Sequence, residues 1–313
     1  MTGGKKKRAT ITLIAAAALA GGALVLVSRP ESRADTATRG VDTAGVVVDN
    51  WGGLHGYSTG TDTPPTFSGG PYWPGQDVAR GVAAAGAKGG AVVDDWGGLH
   101  PFAINGGSAL GKPTGGPYWP GQNVARGVAL LPDGSGGYVL DDWGGLHPFA
   151  VGSGTMPAAT NHVSYWPGQD VARGVVIRSD AKGGYTIDLW GGIHPFGIGT
   201  NTPPAVPTGG PYWVGQDVAR GITMLADDSG GYIGDSWGGF HGIDVSGKAI
   251  PAPPTNGPYW PGQNVAWGPT TTPGSPPPTT TTSSPIPTLI TTTTSASTTT
   301  TVASSTTSSL LPG

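Results

Sequence analysis

The stretch Gly136-Gly137-Tyr138-Val139-Leu140-Asp141-Asp142-Trp143-Gly144-Gly145-Leu146-His147-Pro148-Phe149 decides the fold. Aromatic, apolar and β-branched residues flank a glycine pair, which describes two strands meeting at a hairpin. The core of this string, Trp-Gly-Gly-apolar-His, stands at Trp51, Trp96, Trp143, Trp190 and Trp237, with spacings of 45, 47, 47 and 47. A second marker, Tyr-Trp-x-Gly-Gln, places its Trp at 73, 119, 166, 213 and 260, with spacings of 46, 47, 47 and 47. Two markers sharing one period identify five tandem units, each too small to bury its own apolar face.

Residues 170–213 give the strand map of one unit. Residues 171–178 (VARGVVIR) are apolar and β-branched, Gly183-Gly184 makes a turn, and residues 185–190 (YTIDLW) alternate. Gly191-Gly192 then reverses the chain into residues 193–198 (IHPFGI). Pro203, Pro204 and Pro207 interrupt the next segment, so a fourth strand is short and lies on an edge, where missing N–H donors are tolerated. Gly and Pro recur too often for helices, and no apolar residues recur at helical spacing.

Three good strands and one poor strand per unit match a propeller blade, and the expected fold is all-β: a five-bladed β-propeller of antiparallel sheets. Hairpins argue against a parallel β-helix, and a count of five argues against a trefoil. Thr38-Arg39-Gly40-Val41 matches the start of the Arg-Gly-Val strand, and the last repeat breaks off at Trp267-Gly268. The ring, residues 38–268, is therefore expected to close by pairing of its N- and C-terminal strands, which removes exposed sheet edges.

Residues 136–149 resemble repeats of the type GYVLDxWGGLHPF, found in tandem in exported proteins of actinobacteria; the resemblance covers roughly residues 38–268 and brings no settled activity with it. In period and count alone, the chain is also similar to the five-bladed tachylectin-type lectins. That likeness implies a ring able to bind amino sugars and locates no contact.

The flanks differ in kind. Lys5, Lys6, Lys7 and Arg8 precede an uncharged, largely apolar run to Ser28 and a small-residue site at Ser32-Arg33-Ala34. Residues 1–34 thus fit an export segment, either a cleaved signal peptide or an uncleaved signal anchor. Both place the rest of the chain outside the cytoplasm, extracellular or at the cell surface, and membrane contact would come only through an uncleaved anchor. From residue 269 to 313, 27 residues are Thr or Ser, eight are Pro and none is charged, which describes a disordered stalk. Its hydroxyls suit O-glycosylation as well as a plain flexible tail.

Charge and cysteine usage narrow the function. The formal net charge of −3 becomes −8 without residues 1–34, so nucleic acid and anionic lipid are not expected partners. The chain has no Cys, which excludes disulfide staples and thiolate-bound metal. An Asp two residues before each marker Trp (Asp49, Asp94, Asp141, Asp188, Asp235) and a His four after it (His55, His100, His147, His194, His241) offer an acid–imidazole pair per repeat. Across a two-residue Gly-Gly hairpin, His147 is expected opposite Asp142 and beside Asp141. Five equivalent copies with no nucleophile beside them suit a turn-fixing network better than a triad, and one His per blade does not gather zinc ligands. Glu31 is the only Glu, so the unlike carboxylates of a glycosidase have no obvious source. No catalytic residue, metal or cofactor is expected.

The ligand candidates lie in the second marker: Trp73, Gln76 and Asp77; Trp119, Gln122 and Asn123; Trp166, Gln169 and Asp170; Trp213, Gln216 and Asp217; Trp260, Gln263 and Asn264. An aromatic face beside an amide or carboxylate stacks on a pyranose and bonds its hydroxyls. The competing expectation is packing: each Trp wedged between blades, with Arg80, Arg126, Arg173 and Arg220 pairing to the nearby Asp. The function expected is a secreted or cell-surface, non-catalytic recognition module for glycan or cell-wall carbohydrate. A protein–protein scaffold without sugar binding, partnered by another surface protein, is the alternative, and a glycoside hydrolase ranks last.

Overall fold

A computed structural model of the chain describes residues 44–60, 62–247 and 250–272. They form five antiparallel sheets, four of four strands and one of three, arranged as a five-bladed β-propeller. The only helical turn among the described residues is the 3-10 segment Gly86–Lys88.

One blade illustrates all. Gly136–Asp141 pairs with Ala125–Leu130 on its axial side and with Leu146–Val151 on the other, and Pro113–Thr114 adds the outer edge. The edge strand is two residues long because prolines populate the segments around it and cannot donate to a ladder. Large side chains fill the space within and between sheets: Tyr138, Tyr185, Tyr232, Phe102, Phe149 and Phe196 are fully buried. The phenols of Tyr185 and Tyr232 donate to the carbonyls of Ala205 and Ala252, so burying them strands no polar group.

The blade is offset from the repeat as written in the sequence. Thr208–Gly209, the fourth strand of the unit 170–213, pairs with Phe240–Asp244 of the following blade and not with Ile193–Ile198. After Ile198 the chain crosses to its neighbour, lays down a short outer edge there and then runs to the axis. Each blade is thereby stitched to the one before it.

Closure by the two ends of the ring is present, but its inner strand comes from the C-terminal side. Ala266–Thr272 pairs with Ala44–Asp49, which pairs with Leu54–Ser58. Thr38–Val41 lies outside the described residues, as do the export segment and residues 273–313. Pro269, Thr270, Thr271 and Thr272, assigned from composition to the stalk, belong to this strand instead. Pairing across the chain ends supplies what local composition lacks, since Thr is β-branched and suits a ladder once a partner exists.

At the axis the five inner strands meet through glycine. A Cβ added to Gly81 would stand 3.0 Å from the Gly127 Cα, one on Gly127 3.3 Å from the Gly174 Cα, and one on Gly174 2.6 Å from the Gly221 Cα. Gly221 abuts Gly268, and Gly268, at φ +39°, faces Gly81. Backbones this close leave no space for side chains.

The uneven spacing sets an internal comparison. Gly174→Ala must push two blades apart and is expected to cost about 1–3 kcal/mol, the usual penalty of overpacking. Gly127→Ala, with more space, is expected to cost less. Thermal melts of the two variants check this; equal effects would mean that the axial spacing is not the limiting contact.

Candidate functional site

The hairpin Asp-x-Trp-Gly-Gly-apolar-His is built around its Asp. Asp141 Oδ1 accepts from the backbone N–H of Trp143 at 2.9 Å and of Gly145 at 2.7 Å, while Oδ2 lies 2.8 Å from His147 Nε2. An ionised Asp accepts only, so the imidazole donates. The other four blades repeat the arrangement, with Nε2–Oδ2 distances of 2.9 to 3.0 Å. The turn holds four residues, Asp142 to Gly145, and not a Gly-Gly pair alone. His147 consequently sits opposite Val139, and its acidic partner is Asp141 rather than Asp142.

Both glycines of the turn are required. The first has φ of +89° to +98° in all five copies, and a Cβ there would press on a marker Trp ring or the carbonyl beside it. The second packs directly on the Asp carboxylate.

Each Tyr-Trp tryptophan bridges two blades. The backbone N–H of Trp119 donates to the Trp96 carbonyl of the preceding blade at 2.7 Å. Its indole meets His147 of its own blade edge-on, with centroids 5.1 Å apart and planes at 81°. Trp73, Trp166, Trp213 and Trp260 do the same with His100, His194, His241 and His55 at 4.9 to 5.0 Å. All five are half-buried at blade boundaries, in agreement with the packing alternative.

Nearer the axis runs a relay of arginines. In four inner strands a β-bulge leaves Arg as the extra residue between Ala and Gly, which turns its side chain toward the next blade. Arg126 Nε and Nη2 bind Asp170 of the next blade at 2.8 Å each, and Arg173 binds Asp217 in the same bidentate way at 2.9 Å. Arg80 and Arg220 reach Asn123 and Asn264 at 3.1 Å. Trp267 takes the fifth place, and the guanidiniums of Arg80 and Arg220 each stand 5.2 Å from its ring. Asp77, which a fifth Arg would reach, bonds among the described residues only its own Arg80 through its side chain, 66% of which is exposed.

Of the candidate ligand residues, then, the five Trp, Asp170, Asp217, Asn123 and Asn264 are engaged in holding blades together, while Asp77 pairs within its own blade. Gln76, Gln122, Gln169, Gln216 and Gln263 are exposed. The most accessible aromatics of this end are others: Tyr72, Tyr118, Tyr165, Tyr212 and Tyr259, between 54% and 63% exposed, with Trp51, Trp96, Trp143 and Trp237 near 40%. Trp143 and Tyr165 pair at 6.3 Å. Both sets lie within the two markers, so the sequence carries the signal; what the motif does not reveal is which ring of Tyr-Trp turns outward. Below the glycine ring the axis opens into a cavity of about 130 Å³ lined chiefly by Val, Ala, Ile and Leu. No cluster of His, Asp and Glu suited to a metal occurs among the described residues.

No family model and no curated protein matches the chain. Among solved structures, a chain of the crystal structure of a nidogen/laminin complex aligns at 13% identity, covering 73% of this chain and 98% of that one, with a TM-score of 0.39.

The carboxylates of the network give it a pH signature. Burial pushes Asp170 and Asp217 up, but hydrogen bonds and charge from Arg126, Arg173 and Arg220 hold both below the usual range. Asp49 and Asp235 are also lowered: burial opposes ionisation, and bonds from His55 or His241 and the turn amides outweigh it. Asp95 and Asp142 go the other way, raised chiefly by burial. A depressed carboxyl contributes stability that is complete above its unfolded value of about 3.9 and is lost as pH falls through its folded value. A raised one costs stability while ionised and relieves that cost on protonation. The melting temperature should therefore hold or rise slightly from pH 7 to about pH 5 and fall steeply below about pH 4. Calorimetry across this range checks it; a steady decline between pH 7 and 5 would contradict it.

Proposed function

We propose that this protein is an exported, non-catalytic recognition module that reads carbohydrate through a ring of exposed aromatic side chains. The observation that carries the reading is the outward tyrosine of every Tyr-Trp marker, repeated five times at one end of the propeller beside an exposed Gln. A phenol ring offers an apolar face for the C–H side of a pyranose, and the amide offers a donor and an acceptor for its hydroxyls. Repetition suits a polymer, since linked weak sites gain strength through effective concentration. The repeated Asp carboxylates have both oxygens bonded within their turns, which fits a scaffold rather than acid–base chemistry. Export rests on the basic and apolar pattern of residues 1–34, and a location outside the cytoplasm follows from it.

Replacing Tyr72, Tyr118, Tyr165, Tyr212 and Tyr259 together by Ala should abolish binding to a neutral polysaccharide while leaving the melting temperature nearly unchanged. By contrast, Trp119→Ala should lower stability by about 3 kcal/mol, the low end for deleting a packed Trp. Exposed Tyr and Trp are also the residues that anchor protein interfaces. A parent protein that binds no member of a glycan array would sink the carbohydrate reading and favour a protein partner.

A further inference from the structure

The five repeats are not equivalent at the rim. Between the edge strand Leu54–Ser58 of the three-stranded blade and residues 65–72 of the next lies an open groove of about 460 Å³. Leu54 and Phe67 contribute its apolar surface, Thr66 and Ser68 its hydroxyls, and Tyr72 an exposed aromatic ring. None of the described residues lining it carries a charge.

Two departures from the repeat keep this groove open. In the third and fifth blades the glycine after the outer edge strand is covered by a long side chain. The Met156 Cε stands 2.5 Å from where a Cβ on Gly115 would be, and the Ile250 Cδ1 stands 2.9 Å from that of Gly209. Gly69 is the matching residue of the second blade, and nothing lies within 4 Å of its Cβ position. By strand register, Ala109 occupies the place of Met156 and Ile250 there, and it is too short to reach over. The second departure is Gly56. Pro101, Pro148 and Pro195 hold the same register position on the third strands of their blades, beyond the reach of the two-residue outer strand, where the N–H would face outward. Gly56 retains that N–H as a donor beside the groove. Gly242 retains one too, and both glycines are packed, Gly56 by Pro64 and Pro65 and Gly242 by Ile250 and Pro251, but only Gly56 lines this groove.

We infer that this groove is the principal saccharide subsite of the protein, taking one or two neutral sugar residues of a chain whose other residues contact the repeated tyrosines. The inference rests on the carbohydrate reading proposed for the aromatic ring. The groove's volume falls in the range of small-ligand clefts, roughly 300 to 1,000 Å³. An uncharged lining that mixes apolar surface, hydroxyls and backbone polar groups matches a ligand with an apolar face and hydroxyl edges. It disfavours anionic sugars and phosphorylated ligands, for which no cation is present in the lining.

The experiment is calorimetric titration of the full chain with maltohexaose, cellohexaose and chitohexaose, each short enough to engage few sites at once. For whichever binds most tightly, Ala109→Met, which installs the cover seen in the third blade, and Tyr72→Ala should each weaken binding by about tenfold or more. Tyr118→Ala and Tyr165→Ala, which remove outlying contacts of the same chain, should each weaken it by a factor several times smaller than Tyr72→Ala does. Ser68→Trp, placed on an exposed edge residue, provides a second way of filling the groove if Ala109→Met lowers the melting temperature. Equal losses for Tyr72→Ala and Tyr118→Ala, or full affinity in both groove-filling variants, would overturn the groove and leave the carbohydrate reading standing. Absence of binding to all three hexasaccharides, with none to a wider neutral glycan set, would overturn both.

Discussion

The approach of five backbones at the axis is the constraint on which the other features depend. Gly81, Gly127, Gly174, Gly221 and Gly268 let inner strands meet with no side chain between them, which sets how close adjacent blades can stand. At that spacing a side chain leaving the bulge one residue earlier reaches the next blade. Arg126 and Arg173 exploit it with bidentate pairs to Asp170 and Asp217. The four arginines are only 3% to 6% exposed, so an unpaired guanidinium here would be costly, and the acceptors are as necessary as the donors. Gly fixes the distance and the Arg relay uses it.

The same dependence extends outward to the Trp-Gly-Gly turn. Asp141 organises the hairpin, the hairpin presents a glycine face and a carbonyl, and the neighbouring Trp takes both. His147 then closes the arrangement by bonding Asp141 with one nitrogen and meeting Trp119 with its ring. A motif that resembles half of a catalytic triad thus has its Asp and His bonded into the hairpin and set against the Trp that joins blades. The conspicuous residues of the repeat are the ones the architecture needs.

That commitment explains how much of the molecule is legible in the sequence. The period, the hairpins and the short outer edge come from Gly, Pro and β-branched residues, whose preferences are local, and the bounds of the strand at residues 193–198 agree to the residue. The assignment of outer edges to the next blade, and of residues 269–272 to the closing strand, depends on partners far along the chain. A Thr-rich segment carries no mark of the strand it will join. The pairing of Tyr with Trp is similarly silent on which ring packs, because both are large and both carry a polar handle. The neighbouring blade, by offering a glycine, and the Trp's own blade, by offering a histidine, decide between them.

Where the repeat is kept, then, it reports on construction, and its departures need a separate explanation. Trp267 replaces the fifth Arg at the point where the chain ends close the ring. Its neutral ring between two guanidiniums ends the relay and leaves Asp77 without the cross-blade partner that Asp170 and Asp217 have. The blade that receives Trp267 is also the one with three bonded strands, and its outer flank is the wall of the open groove. Closure by residues 266–272 completes the inner side of that blade but supplies no fourth strand, and Asn256 touches Ser58 only through side chains, at 3.4 Å. A ring built from unbroken repeats would present five matching rims. The joint between its ends makes one rim different, and the groove proposed as a subsite lies against that rim.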